Sequence, residues 1–400
     1  MHTDDRLARR NAFVLAMAQA MGGALTSITI SLGGLVGIYL LSASSKLATL
    51  PVTTMVVGTA CGTIPAAMLL ARLGRRNGFV VGTLVSASGG LTAFAGIMTG
   101  SFALYCVGTF LGGFAFAFVQ QYRFAAAEGA TPGFRPKAIS YVLAGGILAG
   151  IIGPQTVIAT RDLFAPVAYA GAYLAQAGLA LVTIAILFLY RPVGDVEVQK
   201  VEGGRPLTQI LSEPKVMLAI LVAVISYGVM SLMMTAAPLA MIACGFGTDD
   251  AALGIQWHVI AMFAPSFVTG SLIARYGAEP IAAIGLLLLV LAGTTALFGI
   301  TLGHFYVALV FLGLGWNFGF IGGTAMLTAA QRPEERARTQ GANEFIVFGC
   351  VALASLSSGV LFQTVGWASI NWTLMPLVAL PLVCLAAAAA LSRQRRGRLA

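Results

Sequence analysis

The feature that most restricts this chain is a succession of twelve apolar runs, each long enough to cross a lipid bilayer, separated by breaks that hold nearly all of the charge. They cover residues 12–40, 47–71, 78–98, 102–122, 137–159, 166–190, 216–243, 251–274, 280–300, 304–327, 339–363 and 369–391. A hydrocarbon core about 30 Å thick takes about 20 residues of α-helix. Inside it, only helices and closed barrels satisfy their own backbone polar groups. Barrel strands are about ten residues of alternating polarity, whereas these runs are longer and continuously apolar. Only 9% of the residues are charged against 58% hydrophobic, too few charges to coat a water-soluble globule of 400 residues. The predicted class is therefore an all-α membrane protein with 12 transmembrane helices.

Sidedness follows from the basic residues. When the runs alternate direction, one face receives all 23 lysines and arginines except Lys46 and Arg161. The positive-inside bias predicts that this face is cytoplasmic and carries both termini. Confined to the breaks in this way, the net charge of +9 speaks for orientation and against nucleic-acid binding. Five cysteines (Cys61, Cys106, Cys244, Cys350 and Cys384) are odd in number and widely spaced, so no disulfide framework is implied. No HExxH, no acid dyad and only three histidines argue against an intramembrane enzyme.

The longest polar stretch, 191–215, divides the chain into six-helix sets at 1–190 and 216–400. The two sets look related. YCVGTFLGG (105–113) aligns with YVALVFLGL (306–314), ARLG (71–74) with ARYG (274–277), and Arg135 and Lys137 with Arg336 and Arg338. Parallel repeats with a site between them are a transporter architecture.

On twelve spans, the 6+6 pseudo-repeat, the central loop and the basic segment ARLGRRNG (71–78), the chain resembles the major facilitator superfamily over nearly its whole length. The resemblance assigns a gating role to the loop motif at Arg72, Gly74, Arg75 and Arg76. Ala71 stands where the family carries an acid, as does Ala274 in the second half, which puts a carboxylate-dependent gate in question. The helix-five motif is only partly present, in GGILAGIIGP (145–154), which argues against a drug/proton antiporter.

Chemistry-bearing residues cluster in the seventh and eighth runs. On a helical wheel, Met230, Met233, Met234, Met241 and Cys244 fall within a sector of about 100°. His258 and Met262 are stacked one turn apart. Methionine is a common gap-filler in apolar cores, but a histidine in a membrane span is a functional candidate by default. Counting the helical rise places the two groups at similar depth, and consecutive antiparallel helices usually pack side by side. Thioether, thiol and imidazole together suit copper, while magnesium, calcium and manganese would want carboxylates. The MxxxM and HxxxM pair is similar to the signature of CcoA-like copper importers. That resemblance implies copper handling by Met230, Met234, His258 and Met262, in a bacterial inner-membrane protein that supplies copper for a cbb-type haem-copper oxidase.

The expected cargo is thus a copper ion as substrate, with no prosthetic group, in a monomer that has copper chaperones as candidate partners. Met17 and Met21 in the first run have the same i, i+4 spacing and suggest an exit step. Gln19, Gln120, Gln155, Gln256, Asn317 and Asn343 are expected to bond between helices or to line a cavity. Glu344 is the one carboxylate clearly inside a span, a candidate for coupling or for an ion pair with Arg336 or Arg338. Two alternatives stay open: a carrier of a small organic molecule or drug, in which the sulfurs are pliable wall, and a non-transporting copper sensor.

Overall fold

The computed structural model describes residues 5–41, 46–128, 130–131, 134–192 and 204–397, so the middle of the central linker, 193–203, lies outside the described residues. Regular structure among the described residues is entirely helical. The first half holds α1 (Asp5–Leu40), α2 (Leu50–Met98), α3 (Phe102–Val119), α4 (Tyr122–Ala127), α5 (Arg135–Thr160) and α6 (Ala170–Phe188). The end of the linker forms α7 (Leu207–Leu211). The second half holds α8 (Pro214–Ala243), α9 (Thr248–Phe263), α10 (Ser266–Tyr276), α11 (Ala278–Phe298), α12 (Leu302–Ala330) and α13 (Arg336–Gly397).

Two of these are too long for one crossing. The 49 residues of α2 would extend about 74 Å as a straight helix, more than twice the bilayer core. Gly74 breaks it, at φ 74° and ψ 163°, in a region essentially closed to residues with a side chain. The chain reverses there, since a Cβ on Gly78 would stand 3.1 Å from Leu70 Cα. The 62 residues of α13 break in the same way at Gly366, with φ 80° and ψ 178°. With α2 and α13 each divided at its break, every predicted run but the eighth falls on one helical segment. Gly277, aligned with Gly74 through the ARLG/ARYG repeat, makes the equivalent turn between α10 and α11 with φ 93° and ψ 161°. The repeat thus extends from letters to backbone conformation.

The eighth predicted run is broken by Pro265, which separates α9 from α10. Proline lacks an N–H and frees a carbonyl in the preceding turn. Asn317 of α12 stitches the break, donating to Met262 O (2.6 Å) and to Ser266 Oγ (2.7 Å) and accepting from Thr269 Oγ1 (2.6 Å). The sequence expectation of interhelical bonding holds for this residue.

On the basic side, Arg75 of the loop motif pairs with Glu128, just past α4. Position 71 carries no acid, and the carboxylate that Arg75 meets is Glu128. Arg76 lies over the Phe188 ring at 5.9 Å, and Arg72 is exposed. Arg205 grips Glu335 with two bonds (2.8 and 2.9 Å) and Glu213 with one (2.9 Å), tying the linker's end to the foot of α13. The Arg205 guanidinium holds the Glu335 carboxyl down at about 2, so this clamp stays ionised until the pH falls to that value.

Candidate functional site

Met230, Met233, Met234 and Met241 of α8 and Met262 of α9 are all buried, and they belong to one apolar core inside the second half. His258 is also fully buried, and its Nδ1 donates to Leu309 O of α12 at 2.9 Å. Leu239, about 180° around α8 from Met230, is the residue that meets the first half: a Cβ on Gly34 of α1 would lie 3.2 Å from it. The sulfur sector lies on the other side of α8, in the core of the second half, which Ile30 of α1 also touches. Met241 Sδ reaches Gly254 of α9, and Ser226, in the same sector, packs on Gly319 of α12.

As expected, α8 and α9 pack as neighbours, and Met262 shares one core with the α8 methionines. α9 packs chiefly on α12 and, across the halves, on α5. Cys244 caps the end of α8 and is exposed, outside the core that holds the methionines. Met17 and Met21 are half-buried on α1.

At the edge of the same core, an aromatic group faces the junction of the halves. Trp316 and Phe320, one turn apart on α12, are stacked, with centroids 5.3 Å apart and planes 15° from parallel. Tyr227 of α8 sets its edge against both, at 5.4 and 5.1 Å, and lies 5.9 Å from Phe348 of α13. Phe263, at the end of α9, is 6.4 Å from Trp316, and it packs where a Cβ on Gly146 of α5 would stand. Tyr227 lies about 20 Å along α8 from its basic-side end and Trp316 about 21 Å along α12 from the opposite end, so this aromatic wall is near mid-membrane.

The first half presents Arg123 of α4 to this wall. Its guanidinium lies 4.8 Å over the Phe124 ring and interacts electrostatically with Tyr227 and with Glu344. Glu344 is exposed and sits one turn before Phe348 on the same face of α13. Arg123 of the other half acts electrostatically on Glu344, a partner to which the sequence did not point. Among the described residues no salt bridge joins Arg123 to Glu344. Arg123 Nε and Trp316 Nε1 are buried without a protein acceptor, a costly condition for donors in an apolar setting.

Beyond this level, on the side opposite the termini, the halves are fastened together. Along α5 and α9, Gly150 fits against Val259, Gln155 Nε2 donates to Gln256 Oε1 (2.9 Å), and Arg161 pairs with Asp249. Between α2 and α13, Thr53 bonds Ser355 at 3.2 Å. Arg161, one of only two basic residues on that face, thus has a structural use in holding the halves together.

Sequence reasoning missed Arg123 and the aromatic wall. Arg123 follows directly on an apolar run and so reads as a boundary marker. The aromatics come from four helices and share no spacing. The one signal available was the Trp316–Phe320 pair at i, i+4.

Comparison with known proteins places this geometry. The sequence profile of the Major Facilitator Superfamily matches residues 11–265. The chain is 50% identical over 383 residues to the riboflavin transporter RfnT of Brucella anthropi, covering 95% of this chain and 96% of that protein. It is 27% identical to the MFS-type transporter YddS of Bacillus subtilis, over 95% of this chain and 91% of that one. Among solved structures, the nucleoside transporter NupG superposes with a TM-score of 0.70 at 12% identity, covering 96% of this chain and 99% of that one. The xylose transporter XylE of E. coli, in a partially occluded inward-open conformation, gives 0.69 at 13% identity, covering 93% and 96%. These two neighbours speak to the fold, and together with the sequence matches they lead to one conclusion: the chain is a multi-pass membrane transporter that belongs to the major facilitator superfamily.

Proposed function

We propose that this transporter carries riboflavin, or a molecule with the same flat tricyclic ring, across the bacterial inner membrane with its basic face in the cytoplasm. The observation that carries this reading is the aromatic wall of Tyr227, Trp316, Phe320 and Phe348 facing Arg123 and Glu344 at the junction of the halves. A stacked indole and phenyl offer a flat apolar surface matched to a fused heteroaromatic ring, and charged groups beside it can fix the ring's polar edge. The 50% identity to a riboflavin transporter along nearly the whole chain supports the same cargo. Copper as cargo is not carried forward. The sulfurs face the core of the second half, where they serve as adaptable packing, and the relatives favour the organic-molecule alternative.

In a riboflavin-requiring bacterium without its own uptake system, the chain is expected to restore growth at limiting riboflavin. The combined Met230→Leu, Met234→Leu and Met262→Leu variant should do so equally, because these swaps conserve volume. No rescue despite normal membrane levels, or cell copper that follows the methionines, would contradict this reading.

Movement requires the far-side contacts to part. A Cβ on Gly150 would lie 3.0 Å from Val259 Cβ, close to the roughly 3.5–4.5 Å of a disulfide. In a background lacking the native cysteines, the Gly150→Cys/Val259→Cys pair should transport when reduced. Oxidation should cut transport at least about tenfold, and a reductant should restore it. Full transport with the disulfide quantitatively formed would show that the halves do not separate there.

A further inference from the structure

Resting on the riboflavin reading, we propose that Arg123 and Glu344 read the pyrimidinedione edge of the flavin ring. Arg123 donates to a ring carbonyl and Glu344 accepts from the imide N–H, while the ring lies along the Trp316–Phe320 wall.

The inference comes from matching donors to acceptors. A guanidinium only donates, and an ionised carboxylate only accepts. An imide edge presents carbonyl, N–H and carbonyl in a row, so it needs one partner of each kind. Arg123 and Glu344 supply that pair beside an aromatic surface: Glu344 is one turn from Phe348, which lies 5.9 Å from Tyr227, and the charge of Arg123 acts on both Tyr227 and Glu344. They feel each other's charge without forming a salt bridge. Arg123 keeps Nε without a protein acceptor, and Glu344 is accessible. Bare sugars and aliphatic solutes lack a ring to stack. Flat hydrocarbons have a ring but leave the buried Arg123 Nε without an acceptor, and a buried polar group left unpaired is what rejects an analogue most strongly. Because Arg123 belongs to the first half and Glu344 to the second, a ring held by both bridges the two bodies that move. Cargo recognition and closure around the cargo then use the same contacts.

The test is competition against labelled riboflavin uptake by riboflavin and by N3-methylriboflavin, which keeps the ring and ribityl chain but has no imide N–H. Wild-type protein should be inhibited about 10- to 100-fold less well by the N3-methyl compound, the range for losing a hydrogen bond to a charged group. Glu344→Ala should weaken riboflavin and leave the N3-methyl compound nearly unchanged, bringing the two within about threefold. Arg123→Gln should weaken both in proportion and preserve their ratio. Equal competition by the two compounds in wild-type protein overturns the inference while leaving riboflavin as cargo. A Glu344→Ala variant that weakens both equally also overturns it, by showing a merely structural carboxylate. Absence of any riboflavin uptake by wild-type protein overturns both this inference and the reading beneath it.

Discussion

Trp316→Ala is expected to lower riboflavin uptake at least tenfold without lowering the amount of protein in the membrane. Trp316 and Phe320 are stacked within 15° of parallel, with Tyr227 edge-on to both. Removing the indole takes away the larger flat surface and the support that holds Phe320 in place. Stacking of a heteroaromatic ring on a side chain contributes about 1–3 kcal/mol, which corresponds to roughly 5- to 150-fold in affinity. Trp316 also belongs to the core, with 9% of its surface exposed, so the decisive comparison is Trp316→Phe. That variant keeps a flat ring and should retain uptake within about threefold. Initial uptake rates, normalised to membrane protein, check both. If Trp316→Ala transports as wild type does, the aromatic wall is packing and not a cargo surface.

The second large effect concerns folding. Gly113→Ala should strongly destabilise the protein, because the added Cβ would stand 1.8 Å from Met55 O and 2.6 Å from Met55 C. The contact is reciprocal: a Cβ on Gly58 would stand 2.1 Å from Phe110 O. Here α2 and α3 touch backbone to backbone, as small residues allow within a membrane. Neither carbonyl can turn away without parting the helices. Overpacking usually costs about 1–3 kcal/mol, and with backbone as the obstacle the upper end or beyond is expected. Gly178→Ala on α6 meets nothing within 4 Å and serves as the matched control. Thermal unfolding in detergent should show a fall of several degrees, or no recoverable protein, for Gly113→Ala alone. Equal melting of the two variants would contradict the close approach of α2 and α3.

The twelve crossings were legible because lipid imposes a rule on length and polarity that each segment must obey by itself. The kinds of contact that turn segments into a site were not. A helical wheel correctly places Met230, Met234 and Met241 on one face of α8, but it does not say which neighbour that face meets. The answer lies with Leu239 on the opposite face, whose partner Gly34 is in another part of the chain. Arg123 was hidden for a related reason. The rule that reads arginines as side markers accounts for their placement, and it does not say that this one also acts on Tyr227 and Glu344. The loop motif is a third case: the carboxylate that Arg75 meets is Glu128, beyond α4, and no motif spacing points to it. The ARLG/ARYG repeat was readable, and it acquires physical meaning from Gly74 and Gly277, which share a backbone conformation that side chains forbid.

The central claim is that an aromatic, cross-half site moves a flat organic ring and that the buried sulfurs do not move metal. Its most direct test is flux in proteoliposomes containing only the purified chain, with labelled riboflavin and labelled copper offered separately. Saturable riboflavin entry that is lost in Trp316→Ala, with copper entry no greater than in empty vesicles, is the predicted result. Copper accumulation that depends on His258 and Met230, without riboflavin entry, would contradict the account.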